Sequence, residues 1–443
     1  MRQRSNAPKS RPLRPDLVQA AALEVYASVR QEGRLADRAL DRVLRRETRL
    51  YSTERRAVAE GVWGLLRNER RIDFALFGRG APTLSGVDLY RARWAGLAVL
   101  EGQTAPQIVS AMHLPSSLVP RLEKLSQPLP AGLNPVERVA LTSSLPDFVA
   151  ELLVKERGEA EALELAKAFL VRAPLTVRAN LLKGDREQLR DVLGKEGLRT
   201  PPATRFSPTG LVLESRINAF GLRAFQDGRF EIQDEGSQLL AVLVQAAPGE
   251  QVVDACAGAG GKTLAMSADM RNKGELYAFD VDADRLQELS RRARRAGAHN
   301  IRTRVLPQGD EADERISSMV GKVDRVLVDA PCSGLGAMRR NPDSRYRLKP
   351  DDLVRYPALQ KAILDRFARL VRVGGRLVYA TCSLARAEDE MVVESFLASR
   401  PYFKLVPASQ IVPAEVCEGP YLRTFPHKHG TDGFFAAVME RIG

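Results

Sequence analysis

Residues 323–336 read Val-Asp-Arg-Val-Leu-Val-Asp-Ala-Pro-Cys-Ser-Gly-Leu-Gly. The first half is a β-branched apolar run, which is typical of a strand buried in a parallel sheet. The second half is a loop of small residues that holds the carboxylate of Asp329 and the thiol of Cys332. A second thiol, Cys382, follows the similar run Arg-Leu-Val-Tyr-Ala-Thr at 376–381. Because ligands of open α/β sheets bind just beyond the carboxyl ends of the strands, we expect both thiols to line one pocket.

Around this stretch, strand-like and helical patterns alternate from about Gln233 to the end of the sequence. The predicted strands cover residues 251–255, 275–280, 301–306, 323–329, 376–381 and 434–439. The predicted helices cover residues 263–271, 284–296, 352–372 and 388–400. This alternation predicts an α/β domain with a mostly parallel, doubly wound, Rossmann-like sheet.

The sequence before this domain divides into three parts. Residues 1–15 carry five basic residues, three prolines and no acid, so we expect a basic flexible tail. Residues 16–127 keep the helical spacing of apolar residues and predict an all-α domain. Residues 128–232 open with a proline-rich linker and then order helix, strand, helix and strand, which predicts a small α+β module. The doubly wound domain then takes residues 233–443.

The chain of 443 residues has a net charge of +12, and the positive charge is concentrated near its start. Residues 1–130 hold 22 Lys and Arg against 13 Asp and Glu. A basic front end on a nearly balanced body favours a polyanionic partner such as nucleic acid. The sequence has no apolar run near the roughly 20 residues of a membrane span, so we expect no membrane partner. The four cysteines form no Cys-x-x-Cys pair, which favours a reducing cytoplasm over a disulfide framework.

The first strand of the doubly wound domain is followed by a glycine-rich turn, Asp254-Ala-Cys-Ala-Gly-Ala-Gly-Gly-Lys-Thr263. Glycines at this turn let the backbone approach a ligand closely. A phosphate-binding P-loop would need glycine where Cys256 stands, and a dinucleotide fingerprint would need a third glycine at Thr263. An S-adenosylmethionine loop fits, because this cofactor has no phosphates and its cationic sulfonium tolerates nearby acids.

Carboxylates follow the other strands of the domain as well. Asp280 ends the second strand, where a carboxylate can accept hydrogen bonds from both ribose hydroxyls. Asp310 follows the third strand, where a polar residue meets the adenine amino group. Asp254 and Asp329 lie close to the expected place of the sulfonium. We therefore predict that the cofactor is bound by Cys256, Ala257, Gly258, Ala259, Gly260, Gly261, Lys262, Asp280, Asp310 and Asp329.

Two thiols beside a methyl donor indicate one kind of methyl acceptor. Methyl transfer to oxygen or nitrogen needs no cysteine, whereas carbon 5 of a pyrimidine is a poor nucleophile. A thiolate that adds to carbon 6 lets carbon 5 attack the sulfonium methyl, and a base must then remove the carbon-5 proton before the thiol leaves. Cys332 and Cys382, with Asp329 placed to hydrogen-bond the ring, supply these parts. Cys256 and Cys417 fit small buried side chains, and we leave them out of this chemistry.

The motifs around both thiols resemble those of RNA cytosine 5-methyltransferases of the RsmB/Sun type. They are Asp-Ala-Pro-Cys-Ser-Gly-Leu-Gly at 329–336 and Tyr-Ala-Thr-Cys-Ser-Leu at 379–384. The resemblance extends to the cofactor loop, to Gln233-Asp234, to Arg-Arg-Asn-Pro-Asp at 339–343 and to Pro-His-Lys-His-Gly-Thr-Asp-Gly-Phe-Phe at 426–435. Residues 61–67, Gly-Val-Trp-Gly-Leu-Leu-Arg, and the helices around them resemble a NusB-like RNA-binding domain. The resemblance thus covers essentially the whole chain.

This resemblance implies an S-adenosylmethionine-dependent enzyme that methylates carbon 5 of a cytosine in RNA through a covalent cysteine adduct. It assigns the role of nucleophile to Cys382, and it assigns help with proton loss and product release to Cys332. Lys262 would lie near the methionine end of the cofactor or near the target base, so the catalytic set is Cys382, Cys332, Asp329 and Lys262. In DNA cytosine methyltransferases the Pro-Cys thiol attacks instead, and the reverse order of the two thiols therefore stays open.

The front domain favours 16S rRNA of the small ribosomal subunit as the substrate, again by resemblance. A transfer-RNA cytosine-5 methyltransferase and a non-catalytic RNA-binding or ribosome assembly factor remain as alternatives. RNA contacts are expected from Arg178 and Asn180, which we expect to be exposed on alternate positions of a strand-like run at 174–180, and from Arg339 and Arg340. We expect a monomer in the cytoplasm.

The sequence departs from the family pattern at two places. The cofactor loop usually reads Cys-Ala-Ala-Pro-Gly-Gly-Lys, but here Gly258-Ala259 replace Ala-Pro, which frees the backbone φ angle and can loosen cofactor binding. Residues 144–148, Ser-Leu-Pro-Asp-Phe, lack the usual His-Pro-x-Trp. His427 and His429 belong to the family's tail motif and have no further ligand cluster, so we expect no metal.

Overall fold

The computed structural model describes residues 12–214, 217–307 and 309–443, except for the side chain of Asp310. The described chain forms two compact units. The first comprises the described residues up to Leu170 together with Asn341–Arg347, and the second comprises Val171–Arg340 and Leu348–Gly443. Most of the predicted basic tail over 1–15 lies outside the described residues.

Helices occupy the first part of the chain, and strands interleave with them from Leu175 onward. The helices are α1 (Pro15–Glu32), α2 (Ala36–Arg46), α3 (Ser52–Phe77), α4 (Gly86–Leu100), α5 (Ala105–Ala111), α6 (Val119–Leu122), α7 (Pro135–Ser143), α8 (Asp147–Leu170), α9 (Arg186–Lys195), α10 (Arg223–Gln226), α11 (Glu235–Val244), α12 (Gly261–Asp269), α13 (Ala283–Ala296), α14 (Asp310–Ile316), α15 (Ser344–Arg347), α16 (Asp352–Ala368), α17 (Glu390–Ser399) and α18 (Pro426–His429). The strands are β1 (Leu175–Ala179), β2 (Gly210–Leu213), β3 (Phe230–Ile232), β4 (Gln251–Asp254), β5 (Glu275–Asp280), β6 (Ile301–Val305), β7 (Val323–Asp329), β8 (Val371–Thr381), β9 (Phe403–Val406), β10 (Cys417–Glu418), β11 (Tyr421–Thr424) and β12 (Phe434–Arg441).

The described residues of the first unit form helices and no β-strand. The apolar residues that repeat every three or four positions on α1, such as Val18, Ala22 and Val25, are buried in its core. The helical character predicted from residue 16 onward is thus confirmed. Helices α7 and α8, which the sequence placed in the next module, lie in this unit.

The segment Asn341–Arg347 belongs to the first unit although the residues on both sides of it belong to the second. The hydroxyl of Tyr346 donates a hydrogen bond of 2.7 Å to the carbonyl of Leu66. The guanidinium of Arg30 lies 4.0 Å from the centre of the Tyr346 ring. Arg345 is fully buried and donates to the carbonyl of Ser143. The compact units therefore do not follow chain order, and the predicted domain boundaries at 127 and 232 remain predictions.

A nine-stranded sheet forms the centre of the second unit. Its strand order is β10-β11-β12-β8-β7-β4-β5-β6, and β9 pairs with β12. Strands β4 to β8 are mutually parallel, whereas β12 runs antiparallel to β8, β9 and β11. The sheet is therefore mixed, because its pairings that involve β9, β10, β11 and β12 are antiparallel. Of these four strands, the sequence pattern predicted only β12. The predicted Rossmann-like arrangement holds for the five parallel strands.

The order of the parallel strands reverses next to β4. The chain runs from β4 to β5 and β6 on one side, and then crosses to β7 and β8 on the other side. A crevice opens at such a switch point, just outside the carboxyl ends of the strands. The pairing of β7 with β8 aligns Asp329 with Ala380, so the loops that carry Cys332 and Cys382 leave the sheet side by side.

A small antiparallel sheet with the order β2-β1-β3 precedes the large sheet in the second unit. Val177 and Ala179 of β1 pack with Leu189 and Leu193 of α9 in a separate apolar core. The strand, helix and strand that the sequence predicts in the later part of the 128–232 module are confirmed as β1, α9 and β2. In the described part of the chain, no helix is both long and apolar enough to cross a bilayer.

Candidate active site

The glycine-rich turn connects β4 to α12 and lies at the switch point of the sheet. Gly258 and Gly260 have positive φ angles of 53° and 88°, a conformation that other residues rarely adopt. A Cβ atom on Gly260 would lie only 2.5 Å from Leu289 of α13. The turn thus needs glycine at 260 both for its backbone conformation and for close packing. It leaves the backbone of residues 257–261 along the crevice, as a cofactor loop requires.

Asp280 ends β5 beside this turn. One carboxylate oxygen accepts a hydrogen bond of 2.8 Å from the backbone N–H of Gly258, and the other accepts one of 2.8 Å from the N–H of Asp282. Asp280 is half-buried, so its carboxylate also borders open space. The structure therefore brings the predicted ribose-binding carboxylate and the predicted cofactor loop into direct contact.

Asp254, at the end of β4, is 1% exposed. Its Oδ2 accepts a hydrogen bond of 2.7 Å from the hydroxyl of Thr263, whereas its buried Oδ1 has no hydrogen-bond partner among the described residues. Burial raises the pKa of Asp254 to about 7, and the nearby charge of Asp329 adds to this effect. A buried carboxylate oxygen without a donor is costly in a folded protein, so this atom fits a site that receives a cationic or hydrogen-bonding ligand.

Lys262 and Asp329 form an ion pair between the first turn of α12 and the end of β7. The Nζ atom donates a hydrogen bond of 2.6 Å to Oδ2 of Asp329. Burial lowers the pKa of Lys262, but the charge and the hydrogen bond of Asp329 outweigh burial, so the pKa is raised overall. Lys262 therefore carries its positive charge inside the crevice. Its ammonium also interacts electrostatically with Cys382.

The two predicted catalytic thiols meet in this crevice. The Sγ atoms of Cys332 and Cys382 are 3.3 Å apart, and both residues are half-buried. Residues fifty positions apart in the sequence therefore lie side by side in the structure. The hydrogen bond to Cys382, followed by burial and by the negative charge of Glu388, raises the pKa of Cys332 well above the usual thiol value.

The two family-like motifs and the C-terminal motif are held together by backbone contacts. The N–H of Gly336 donates 2.9 Å to the carbonyl of Cys382, and the N–H of Gly433 donates 2.9 Å to the carbonyl of Gly336. A Cβ atom on Gly336 would lie 2.1 Å from the carbonyl oxygen of Gly433. Only glycine at 336 permits this close approach of the two chain segments.

Glu388 is a site residue that the sequence analysis missed. Its carboxylate is fully buried and accepts hydrogen bonds from the hydroxyls of Ser333 and Ser383, the residues that follow the two cysteines. The acidic run Glu-Asp-Glu at 388–390, just after the second cysteine motif, is the signal that could have identified it.

The prediction that Arg178 and Asn180 are exposed is wrong, because both side chains are buried. Arg178 is 4% exposed and donates 2.7 Å to Oε1 of Gln233, and Asn180 is 3% exposed and donates to the carbonyls of Gly228 and Ala296. Both side chains point inward because the face of β1 that carries them packs against other parts of the second unit. A cavity of ≈ 540 Å³ beside Arg178 is lined by none of the four predicted catalytic residues.

Arg339 and Arg340, the other predicted RNA contacts, form ion pairs inside the second unit. Arg339 is buried and donates 2.7 Å to Oδ1 of Asp432, while the half-buried Arg340 donates to both Asp432 and Asp234. Burial and the neighbouring Asp432 raise the pKa of Asp234 to about 6. These arginines therefore connect the Pro-Cys loop to the C-terminal motif in the structure.

Two further predicted residues, Asp310 and Cys256, and the unassigned Cys417 lie in different places. The side chain of Asp310, at the start of α14, lies outside the described residues. Cys256 lies among carboxylates, since burial, then Asp254, Asp329 and Asp280, raise the pKa of its thiol. Cys417, on β10, packs against the apolar core, and its thiol donates a hydrogen bond of 3.6 Å to the carbonyl of Pro413.

In the C-terminal motif, the ring of His429 contacts two backbone groups. The ring of His429 accepts a hydrogen bond from the N–H of Phe425 through Nδ1, and its Nε2 contacts the carbonyl of Glu415. Over the described ranges, no three His, Cys, Asp or Glu side chains are grouped so that they could hold a metal ion.

A parallel sheet with a glycine-rich turn after its first strand, an acid at the end of the second and an antiparallel strand beside the last defines the class of Rossmann-like methyltransferases. Residues 241–440 match the family described as "16S rRNA methyltransferase RsmB/F". The chain belongs to this family, and the resemblance inferred from its cysteine motifs is confirmed.

Relatives support this assignment over most of the chain. A Synechocystis protein described as "Probable ribosomal RNA small subunit methyltransferase B" is 31% identical over 95% of this chain and 98% of its own. The human 28S rRNA (cytosine(4447)-C(5))-methyltransferase is 31% identical over 69% of this chain and 39% of its own. The crystal structure of PH0851 covers 98% of this chain and 100% of its own with a TM-score of 0.77 and 27% identity. The predicted enzyme class, an RNA cytosine-5 methyltransferase, is therefore confirmed.

Proposed function

We propose that this enzyme methylates carbon 5 of a cytosine in small-subunit rRNA through a covalent bond between Cys382 and carbon 6. One observation carries the proposal. The two thiols lie 3.3 Å apart at the ends of adjacent strands, beside the ion pair of Lys262 and Asp329. A methyltransferase that acts on oxygen or nitrogen has no use for such a pair of thiols.

We assign S-adenosylmethionine to the crevice beside the glycine-rich turn. When it is bound, it supplies the methyl group on an electrophilic sulfonium. The fit rests on the turn itself, on the carboxylate of Asp280 beside it and on the partnerless buried Oδ1 of Asp254. The positive charge of the sulfonium suits a crevice in which Asp254, Asp280 and Asp329 surround Cys256. The turn, Asp280, Asp310, Asp329 and Lys262 are the residues that would hold this cofactor.

Charge assigns different roles to the two thiols. The ammonium of Lys262 interacts electrostatically with Cys382, and it can stabilise the negative charge on this sulfur when the thiol attacks or leaves. The negative charge of Glu388 acts on Cys332 and favours its neutral thiol. Cys382 is therefore the nucleophile, in agreement with the order implied by the family and opposite to that of DNA cytosine methyltransferases.

The reaction then follows from these positions. The Cys382 sulfur bonds to carbon 6, and the electron pair of the carbon 5–carbon 6 double bond moves to carbon 5, which takes the methyl group. Asp329, held by Lys262, is placed to hydrogen-bond the ring during this step. Bonding of Cys382 to carbon 6 removes the hydrogen bond that contributes most to the raised pKa of Cys332. Cys332 then releases its own proton to water and, as a thiolate, accepts the carbon-5 proton. The electron pair of the carbon–hydrogen bond restores the double bond, and Cys382 leaves as a thiolate.

The substrate assignment rests on the family and on charge. The front of the chain holds 22 Lys and Arg against 13 Asp and Glu over residues 1–130, as expected for a protein that binds RNA. We propose that this NusB-like, all-helical region and the small antiparallel sheet grip folded rRNA, and that a flipped-out cytosine enters the crevice.

The test is to incubate the enzyme with labelled S-adenosylmethionine and total RNA from a strain that lacks it, and then to fractionate the RNA. We expect label in 16S rRNA, at one cytosine that bisulfite sequencing identifies by comparison with the parent strain. Label confined to transfer RNA would contradict the proposed substrate and leave the chemistry intact. No label in any RNA, with assembling ribosomal particles included, would contradict the catalytic proposal.

A further inference from the structure

We propose that Glu388 is the positioning residue that sets the distance and the orientation of the two catalytic thiols, by holding the loop of Cys332 and the loop of Cys382 on a single carboxylate. The inference deepens the proposed function and rests on it for the meaning of the thiols. The placement of the loops, however, can be measured without any methyl transfer.

The carboxylate of Glu388 connects the two loops directly. Its Oε1 accepts hydrogen bonds of 2.5 Å from the hydroxyl of Ser333 and 2.7 Å from the hydroxyl of Ser383. Its Oε2 accepts one of 2.8 Å from the backbone N–H of Ser333. The two hydroxyls also lie 3.1 Å from each other. Because each serine directly follows a cysteine, a displacement of either loop moves the adjacent thiol.

Helix α16 also contributes a hydrogen bond to the carboxylate of Glu388. Gln360 of α16 donates through Nε2 to Oε2 of Glu388 at 2.9 Å and to the carbonyl of Pro331 at 3.0 Å. The hydroxyl of Tyr379 on β8 donates 2.5 Å to the backbone carbonyl of Glu388. Both Gln360 and Glu388 are 0% exposed. The amide of Gln360 thus links the loop of Cys332 to the carboxylate of Glu388, in addition to the hydrogen bonds that Ser333 makes.

The groups that donate hydrogen bonds to the carboxylate of Glu388 are all neutral. Its four side-chain hydrogen bonds come from neutral donors, two hydroxyls and two amide groups. Among the residues that the structure describes, Glu388 takes part in no ion pair. Such hydrogen bonds hold a buried carboxylate in place, and its electrostatic effect extends to the residues around it.

That charge reaches one thiol of the pair. Glu388 raises the pKa of Cys332, after the larger effects of the Cys382 hydrogen bond and of burial. At the other end of the crevice, Lys262 acts on Cys382. One carboxylate therefore holds both loops and also keeps the proton on the thiol that does not attack. Complete burial prevents Glu388 itself from touching RNA, so its effect passes through the cysteines.

The first experiment measures the thiol pair alone, with no RNA and no methyl donor. Dibromobimane becomes fluorescent when two close thiols displace both of its bromides, and peptide mapping identifies the bridged 332–382 pair. We expect rapid bridging in the wild type and a rate about tenfold lower in Glu388→Gln. The glutamine side chain has the same shape but only one acceptor oxygen. If this oxygen accepts from the N–H of Ser333, the NH₂ group faces the hydroxyls of Ser333 and Ser383, which the carboxylate accepts from in the wild type. Glu394→Gln removes one exposed carboxylate from α17, the helix that begins two residues after Glu388, and is the matched control with wild-type bridging.

Two smaller changes keep the inference testable if Glu388→Gln does not fold. Ser333→Ala and Ser383→Ala each remove one hydroxyl from the carboxylate, and we expect each to slow bridging by a few-fold. In a Glu388→Gln background that folds, the same changes should add little, since the connection is already broken. Wild-type bridging rates in Glu388→Gln, or in both serine variants, would overturn the inference.

Turnover provides the second readout. For Glu388→Gln we expect kcat to fall by about ten- to a hundredfold while KM for RNA is unchanged, because the residue positions reacting groups and touches no substrate. A general loss of folding would instead lower the fraction of active enzyme and the melting temperature together. If the wild type bridges its thiols but methylates no RNA, the proposed function fails and the positioning role of Glu388 stands.

Discussion

Replacing Cys332 with alanine should trap the enzyme on its RNA. The sulfur of Cys332 lies 3.3 Å from that of Cys382. When Cys382 is bonded to carbon 6, the neighbouring carbon 5 lies one bond from the site of attack. We therefore expect the Cys332 sulfur to reach the proton on carbon 5. In Cys332→Ala that base is missing, so methylation proceeds but the carbon-5 proton is lost slowly and Cys382 cannot leave.

The size of the effect follows from this geometry. A positioned acid or base contributes about 10²–10⁴ in rate. At about 1.4 kcal/mol per factor of ten, this corresponds to about 3–5 kcal/mol of barrier. Turnover of Cys332→Ala should therefore fall by about 10²–10⁴, and the covalent adduct should approach one RNA per enzyme molecule.

A denaturing gel with labelled 16S rRNA transcript and S-adenosylmethionine measures the adduct, which migrates as a band shifted by the mass of the enzyme. Cys382→Ala should form no adduct and no product. Cys417→Ala changes a thiol whose only described hydrogen bond is to Pro413, so it should turn over as the wild type does. An adduct formed by Cys382→Ala and absent from Cys332→Ala would refute the assignment and give the attack to Cys332.

Three further predictions concern the crevice and its support. Lys262→Met retains the apolar stem but removes the ammonium that interacts with Cys382. We expect adduct formation to slow by about 10–100-fold. Rapid-quench measurements in the Cys332→Ala background follow this step. Burial raises the pKa of Asp254 to about 7, so the folded protein binds this proton more tightly than the unfolded chain. Stability should therefore fall as pH rises from about 4 to about 7, at up to about 1.4 kcal/mol per unit, and melting curves of Asp254→Asn over that range should lack this contribution. Gly336→Ala would place a Cβ atom 2.1 Å from the Gly433 carbonyl and should cost about 2 kcal/mol or more in urea unfolding, whereas Gly194→Ala, in an open helical position, should be neutral or stabilising.

Much of the methyltransferase fold could be read from local pattern. The predicted strands at 275–280 and 323–329 coincide with β5 and β7, because their β-branched and apolar residues are buried on both faces of a parallel sheet. The helix predicted over 352–372 ended too late. Residues from Val371 onward join β8, where Val371 pairs with Val323, and this pairing is a long-range effect that local helical spacing cannot reveal.

The missed strands have a related cause. Strands β9, β10 and β11 are only four, two and four residues long, and they exist because β12 and its neighbours offer free backbone groups to pair with. Such short edges have too few residues to show an alternating pattern. The exposure expected for Arg178 and Asn180 failed for a similar reason, since polar residues on a strand indicate a solvent face only when nothing else packs there.

The candidate site was predicted in its parts, while its connections were not. The sequence identified both cysteines, the glycine-rich turn and the acids at the strand ends, because each is a short motif at a recognisable place in an α/β chain. It did not single out Glu388, because the acidic run at 388–390 does not reveal the contacts with Ser333 and Gln360, which are distant in sequence.

The sequence by itself determined the class of fold and the chemistry, since a glycine turn after a buried strand and a thiol after each of two others are local features. Tertiary structure alone decided how those groups act on one another. Only folding places the two sulfur atoms 3.3 Å apart, with the ammonium of Lys262 acting on Cys382 and the carboxylate of Glu388 acting on Cys332. The reason is physical: electrostatic and hydrogen-bonding effects depend on distances across strands, and those distances are set by the packing of the whole sheet.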